Sequence, residues 1–236
     1  MDPVSAIALT LGVGWASGIN LYAAMLSLGL MGATGAMELP PDLQILASPI
    51  VILAAGLMYM VEFVADKVPG VDSGWDALHT FVRIPAGALL AAGSAWSIDP
   101  SIGLAAGLVG GTLATASHAT KATARLVINT SPEPFTNWGA SVAEDVAVFA
   151  GLWAAFNHPA VFIVLMVAFV ALVIWLLPKL VRVMIRIFRR IGRWLSGNPA
   201  PEPVATAPAS TMPGSTMPGS TMPGGIRSVR DPPTRF

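Results

Sequence analysis

Residues 160–178 read AVFIVLMVAFVALVIWLLP, a run with no charge, amide or hydroxyl at any position. At a rise of about 1.5 Å per residue a helix of this length covers about 28 Å, close to the ~30 Å hydrocarbon core of a bilayer. A helix buried in a soluble protein keeps a polar edge, and this one has none on any face. Lipid is the solvent it predicts.

The rest of the chain agrees. Of 236 residues, 54% are hydrophobic and only 11% charged, against about 25% charged in a typical soluble domain. Mean hydropathy is +0.69. Upstream, segments at about 4–32, 43–66, 77–97, 101–127 and 138–156 meet or nearly meet the length test for a span. Short connections rich in Pro and Gly separate them, including MELPPDLQ, KVPGVDSGWD, SIDPS and FNHP. The expected fold class is therefore an all-α, polytopic transmembrane bundle over residues 1–178, with about six spans. The first apolar run follows Met-Asp-Pro and lacks a basic leader and a cleavage pattern, so it reads as a retained span.

Downstream, 179–196 forms a basic amphipathic segment carrying Lys179, Arg182, Arg186, Arg189, Arg190 and Arg193. The positive-inside rule places it in the cytoplasm. Six spans then put both termini there, in the inner (cytoplasmic) membrane of a cell. Loops at 33–42, 98–100 and 157–159 would lie outside, and none of them contains Lys or Arg. Anionic lipid is the expected partner of Lys179 to Arg193, each cation contributing about 1 kcal/mol near the surface. From 197 to 236 the composition turns to Pro, Gly, Ser and Thr, with STMPG repeated at 210–214, 215–219 and 220–224. Such a tail cannot bury enough apolar surface to offset its chain entropy, so disorder is expected.

Glycines recur at four-residue spacing, Gly14 and Gly18 in the first span and Gly103, Gly107 and Gly111 in the fourth. Stripes of this kind allow close helix approach, within the bundle or in a homo-oligomer.

Polar groups inside spans carry the functional argument. Ionised groups in hydrocarbon cost several kcal/mol, so they turn inward, pair or line water. Glu62, Lys121 and Glu144 lie deepest, with Asp145, Arg83, His118 and Asn137 at similar depth and Asn20 nearer mid-membrane. Together they are the candidate substrate or ion pathway, an inward-facing polar vestibule. Asp66, Lys67, Asp72, Asp76 and Arg125 fall close to helix ends, where pairing or snorkelling accounts for them. His118 reads either as a proton relay or as a hydrogen-bonded structural group. The helix starts after PGVDSGW (69–75) and PEPFTNW (132–138) would aim free N–H groups at anions.

Several classes lack support. There is no Gly-Lys-Ser/Thr nucleotide loop, no HExxH and no GxSxG. The chain has no cysteine, and His79, His118 and His158 sit on separate segments, so no metal or other cofactor is expected. Carboxylates alone give no positive sign of an enzyme, and a nucleic-acid partner is not expected.

Three segments, GVGWASGINLYAAML (12–26), EFVADKVPGVDSGWD (62–76) and SHATKATARLVINTSPEPFTNWGASVAED (117–145), resemble a widespread family of small bacterial membrane proteins catalogued as a conserved domain of unknown function. The resemblance spans about 4–178. It implies a multi-helix membrane fold with these polar segments in common, and no substrate. The expected function is a transporter or channel for a small solute or ion. The alternatives are a non-transporting scaffold or accessory subunit, and a protein that handles lipid headgroups.

Overall fold

The computed structural model describes residues 2–68, 70–129 and 134–195. The expected disordered tail and its STMPG repeats lie outside them. Among the described residues six α-helices form the fold: α1 (Pro3–Ala33), α2 (Pro49–Ala65), α3 (Val71–Gly93), α4 (Pro100–Ile128), α5 (Pro134–Asn157) and α6 (Pro159–Leu195). A short 3-10 helix, Pro41–Ala47, precedes α2. Proline opens five of the six, where its missing N–H costs nothing and its fixed φ suits a first turn. Asp2, Ser48 and Asp99 cap α1, α2 and α4 with their side chains.

The Asp99 cap makes a testable pH statement. Hydrogen bonds from the Ser101 side chain and backbone hold its carboxyl below the usual range. A carboxylate depressed by folding stabilises above its unfolded pKa, and that contribution fades as pH falls through the folded one. Asp99→Ala is therefore expected to lower the thermal midpoint at neutral pH, with wild type and variant converging in acid. A gap that is constant with pH would mean the cap is not acting through charge.

By length and hydropathy, α1, α4, α5 and α6 are apolar enough to cross a membrane. The 3-10 helix and α2, bent by 68°, make a fifth candidate. This is the all-helical, multi-pass membrane architecture that the sequence predicts. α3 fails the same test because of its charges. Yet Asp72, Asp76, His79 and Arg83 all point inward, while Leu78, Phe81, Val82 and Leu89 are exposed. α2 repeats the pattern, with Glu62 and Asp66 buried and Leu57, Met60, Val61 and Val64 exposed. Charge inside and apolar surface outside is the reverse of a soluble protein's amphipathicity and matches lipid surroundings.

The main departure from expectation is α1. Asn20 has φ −147° and ψ 98°, an extended conformation that interrupts the helix. A straight helix over 3–33 would separate its ends by about 45 Å. Instead both arms reach the same end of the bundle. On the first arm, Thr10 hydrogen-bonds Ser94 at 2.7 Å. On the second, a Cβ at Gly29 would fall 2.5 Å from the Leu46 carbonyl oxygen, and one at Gly93 would fall 2.8 Å from Leu43. A single cavity of about 440 Å³ is lined by Ser5, Glu38, Leu39, Ser94 and Asn157. α1 is thus a helical hairpin that enters, turns at Asn20 and returns, while α2 to α6 run end to end.

That geometry bears on two expectations. The predicted first span, 4–32, turns back at Asn20 instead of running straight, and by length and hydropathy the described helices give four to five candidate spans where about six were expected. The start of the chain and the basic segment 179–195 then lie at opposite ends, called here the Ser5 end and the Arg125 end. The basic segment continues α6 as one 37-residue helix through Leu195, with the Lys179 ammonium 3.0 Å above the Trp175 ring.

α1 is the most buried element, with Leu9, Val13, Ala16, Leu21 and Leu28 in the core. The glycine stripes do pack helices tightly. Gly14 and Gly18 face α4 at Gly110 and at Ala114 and Ser117, while Gly107 and Gly111 face α3 at Ala88 and Ala92.

Candidate functional site: a buried charge network at the turn of α1

The site is built from four helices around α1's turn. In α2, Glu62 and Asp66 are four residues apart and share an inward face. In α3, Asp76 and Arg83 lie on the inward stripe. In α4, Lys121 and Arg125 are four apart, and α5 supplies Asn137, Ser141, Glu144 and Asp145. All of them are buried except Glu144.

Lys121 is the hub. Its ammonium lies 2.7 Å from Asp66, 3.5 Å from Glu144, 3.6 Å from Glu62 and 3.8 Å from Asp76. It also donates to the Ile19 carbonyl at 3.1 Å. That acceptor is available because the first arm of α1 stops at Asn20, and a helix C-terminus favours a cation. Arg83 joins Glu62 at 2.6 Å and Asp76 at 2.7 Å. Arg125 holds Glu144 in a fork, Nε to Oε1 at 3.2 Å and Nη2 to Oε2 at 2.7 Å. Its Nη1 donates to the Asn137 side chain and to the carbonyls of Asn137 and Asp66.

His118 is fixed in one protonation pattern. Arg83 Nη1 lies 3.2 Å from His118 Nδ1 and can only donate, so Nδ1 accepts. The ring proton then sits on Nε2, 2.7 Å from the Thr80 hydroxyl, which donates to the Asp76 carbonyl. His118 is thus tied to Arg83 and Thr80 by hydrogen bonds.

Asn20 does two jobs at the turn. Its side-chain oxygen accepts from Ala23 N at 2.9 Å, capping the second arm. Its Nδ2 donates to Asp145 Oδ1 at 3.0 Å. The positive end of the second arm and a buried carboxylate therefore meet through one amide.

All eight residues expected to form a pathway meet here: Asn20, Glu62, Arg83, His118, Lys121, Asn137, Glu144 and Asp145. Asp66, Asp76 and Arg125 also belong to the network, paired as their positions near helix ends allowed. The i, i+4, i+7, i+11 spacing of Asp72, Asp76, His79 and Arg83 was the signal for an inward charged face. Asp72 stands apart, bound by Asn129 Nδ2 and by the backbone N–H groups of Gly70 and Ser73. It occupies the start of α3, so that helix end is not open to an anion as its sequence implied. The start of the PEPFTNW segment lies outside the described residues.

Charge does not balance. Among the described residues Glu62, Asp66, Asp76, Glu144 and Asp145 face Arg83, Lys121 and Arg125, with Lys67 near Asp66 and Asp145, so carboxylates outnumber cations by five to four. Buried oxygens without a hydrogen-bond partner include Glu62 Oε2, Asp66 Oδ1, Asp76 Oδ2 and Asp145 Oδ2. Glu144, its side chain 20% exposed, is where the network reaches the surface.

A family model described as Domain of unknown function (DUF4126) matches residues 7–179. No curated protein and no solved structure matches the chain.

Proposed function

The chain belongs to the DUF4126 family, and from that premise we propose that it is a membrane transporter that moves a small solute or ion through the charged network beneath α1. The observation that carries this reading is the helix break at Asn20, set against the network inside a membrane bundle. Broken helices free backbone carbonyls and helix ends at depth, the construction transporters use for midplane ion and substrate sites. The charge imbalance supplies the affinity and Glu144 the entrance.

Orientation follows from the cations. Lys67, Lys121, Arg125 and the segment after 178 gather at the Arg125 end, which favours the cytoplasmic side of an inner membrane. The Ser5 cavity then opens to the opposite side. Anionic headgroups suit the basic end of α6.

A purified, reconstituted chain is expected to lose flux at least tenfold in Glu144→Gln. Its thermal midpoint should fall by only a few degrees, since the neutral side chain keeps the shape Arg125 grips. Because the substrate is open, a thermal-shift screen of solutes and ions comes first: a ligand at 100 times its Kd adds about 2.7 kcal/mol of stability. If no solute or ion shifts wild type, and Glu144→Gln differs only in stability, the network is structural. The scaffold reading then replaces this one.

A further inference from the structure

Among the five carboxylates of the network, Asp145 differs from the rest. Glu62, Asp66, Asp76 and Glu144 each have a cation within 4 Å, whereas among the described residues Asp145 has none. It is 7% exposed, its Oδ1 is bound by Asn20, and its Oδ2 has no partner at ordinary hydrogen-bond geometry, with the Tyr59 hydroxyl close to the carboxyl. Ser141, one turn earlier on the same face of α5, is 1% exposed and its hydroxyl is likewise unpartnered. An ionised carboxylate in such a place with no cation in contact costs several kcal/mol, a cost that a proton or a metal ion removes.

We propose that Asp145, clasped by Asn20 at the turn of α1, is the residue at which this protein takes up and releases a proton. The inference rests on the transport reading for its role, since the proton is then the coupled ion. It stands on the site itself for its chemistry.

The choice of proton over metal ion follows from the donor set. Asn20 presents an N–H to Oδ1, which leaves one carboxylate oxygen, whereas hard cations take about six to eight oxygen ligands. No group of three His, Cys, Asp or Glu side chains is arranged to hold a metal among the described residues. The second arm of α1 also points its positive end here, which opposes a resident cation and not a neutral acid. Other ionisable groups surround Asp145 from each side: Tyr59, Asp66 and Lys67 from α2 and the turn after it, Lys121 from α4, and neighbouring Glu144 on α5. On α3, Asp76 and Arg83 lie beyond Lys121. In the uptake step hydronium passes its proton to Oδ2, forming the O–H of the acid and leaving water. Release reverses it.

The test is infrared difference spectroscopy on the full chain in vesicles, stepping pH from acid to alkaline. One carboxylic-acid C=O band should vanish as pH rises, be missing in Asp145→Asn, and remain in Glu144→Gln. Asn20→Ala should keep the band and move the pH at which it vanishes by a unit or more. No such band in wild type, or its survival in Asp145→Asn, overturns the assignment. If Asp145→Asn does not fold, an unmoved band in Asn20→Ala does the same. A band that vanishes on adding sodium at constant pH makes the site a cation site and overturns the proton. Flux is read separately from vesicles loaded with a pH-sensitive dye. A titrating Asp145 without any flux removes the transport reading and leaves the proton site standing.

Discussion

Arg83→Met is expected to destabilise the detergent-solubilised protein by about 3–5 kcal/mol, the range found when one member of a buried pair is removed. Arg83 is fully buried and neutralises Glu62 and Asp76 at 2.6 and 2.7 Å. Methionine fills similar volume, so little of the loss would come from packing. What remains is two carboxylates sharing Lys121 with Asp66 and Glu144. Adding Glu62→Gln and Asp76→Asn should restore much of the stability, because the penalty lies in the stranded charges and not in the missing contact. Thermal unfolding followed by size-exclusion chromatography reads both. An Arg83→Met protein within a degree or two of wild type would show that water reaches the network freely.

A comparable loss is expected from Gly18→Val, for a steric reason. A Cβ at Gly18 would sit 1.9 Å from Ser117 Oγ and 2.3 Å from the Ala114 carbonyl oxygen. Ser117 can rotate, but the Ala114 backbone cannot yield without moving α4. Overpacking of a tight core costs about 1–3 kcal/mol or more, and here it also breaks the Ser117 to Trp15 carbonyl bond at 2.9 Å. The first arm would lift off α4 and take Asn20 and the Ile19 carbonyl with it. Gly139→Ala is the control: nothing lies within 4 Å of a Cβ there, and alanine favours α5 by up to about 1 kcal/mol. Equal yields of monodisperse protein from both variants would mean that α1 and α4 are not in this close contact.

The sequence was legible where solvent preference decides structure. The uninterrupted 160–178 run, the Pro-led helix starts and the low charge led to a helical membrane bundle. The four-residue spacing of Glu62 and Asp66, and of Lys121 and Arg125, showed which polar residues would share a face. The α1 turn was hidden for a physical reason. Asn20 carries the only amide in a run of good span length, and one asparagine in such a run fits a continuous helix as well as a broken one. The break is settled by partners from elsewhere in the chain: Asp145 takes its amide, Lys121 the freed Ile19 carbonyl, and Ser94 the Thr10 hydroxyl. With α1 read as one straight helix, both ends of the chain were expected on one side, whereas Ser5 and the segment after 178 sit at opposite ends of the bundle. Of the two accounts open for Asp66, Asp76 and Arg125 near their helix ends, pairing is the one seen, and how far each is buried depends on its neighbours as much as on position along one helix.

The clasp between Asn20 and Asp145 spans 125 residues of chain. At about 5–20 residues per second a ribosome needs on the order of ten seconds to make that intervening stretch. During that time the first arm has neither Lys121 for its last carbonyls nor a carboxylate for Asn20. α1 is therefore made well before the residues that complete it: the nascent hairpin has to wait, loosely placed or guarded by the insertion machinery, until α4 and α5 emerge and close over it.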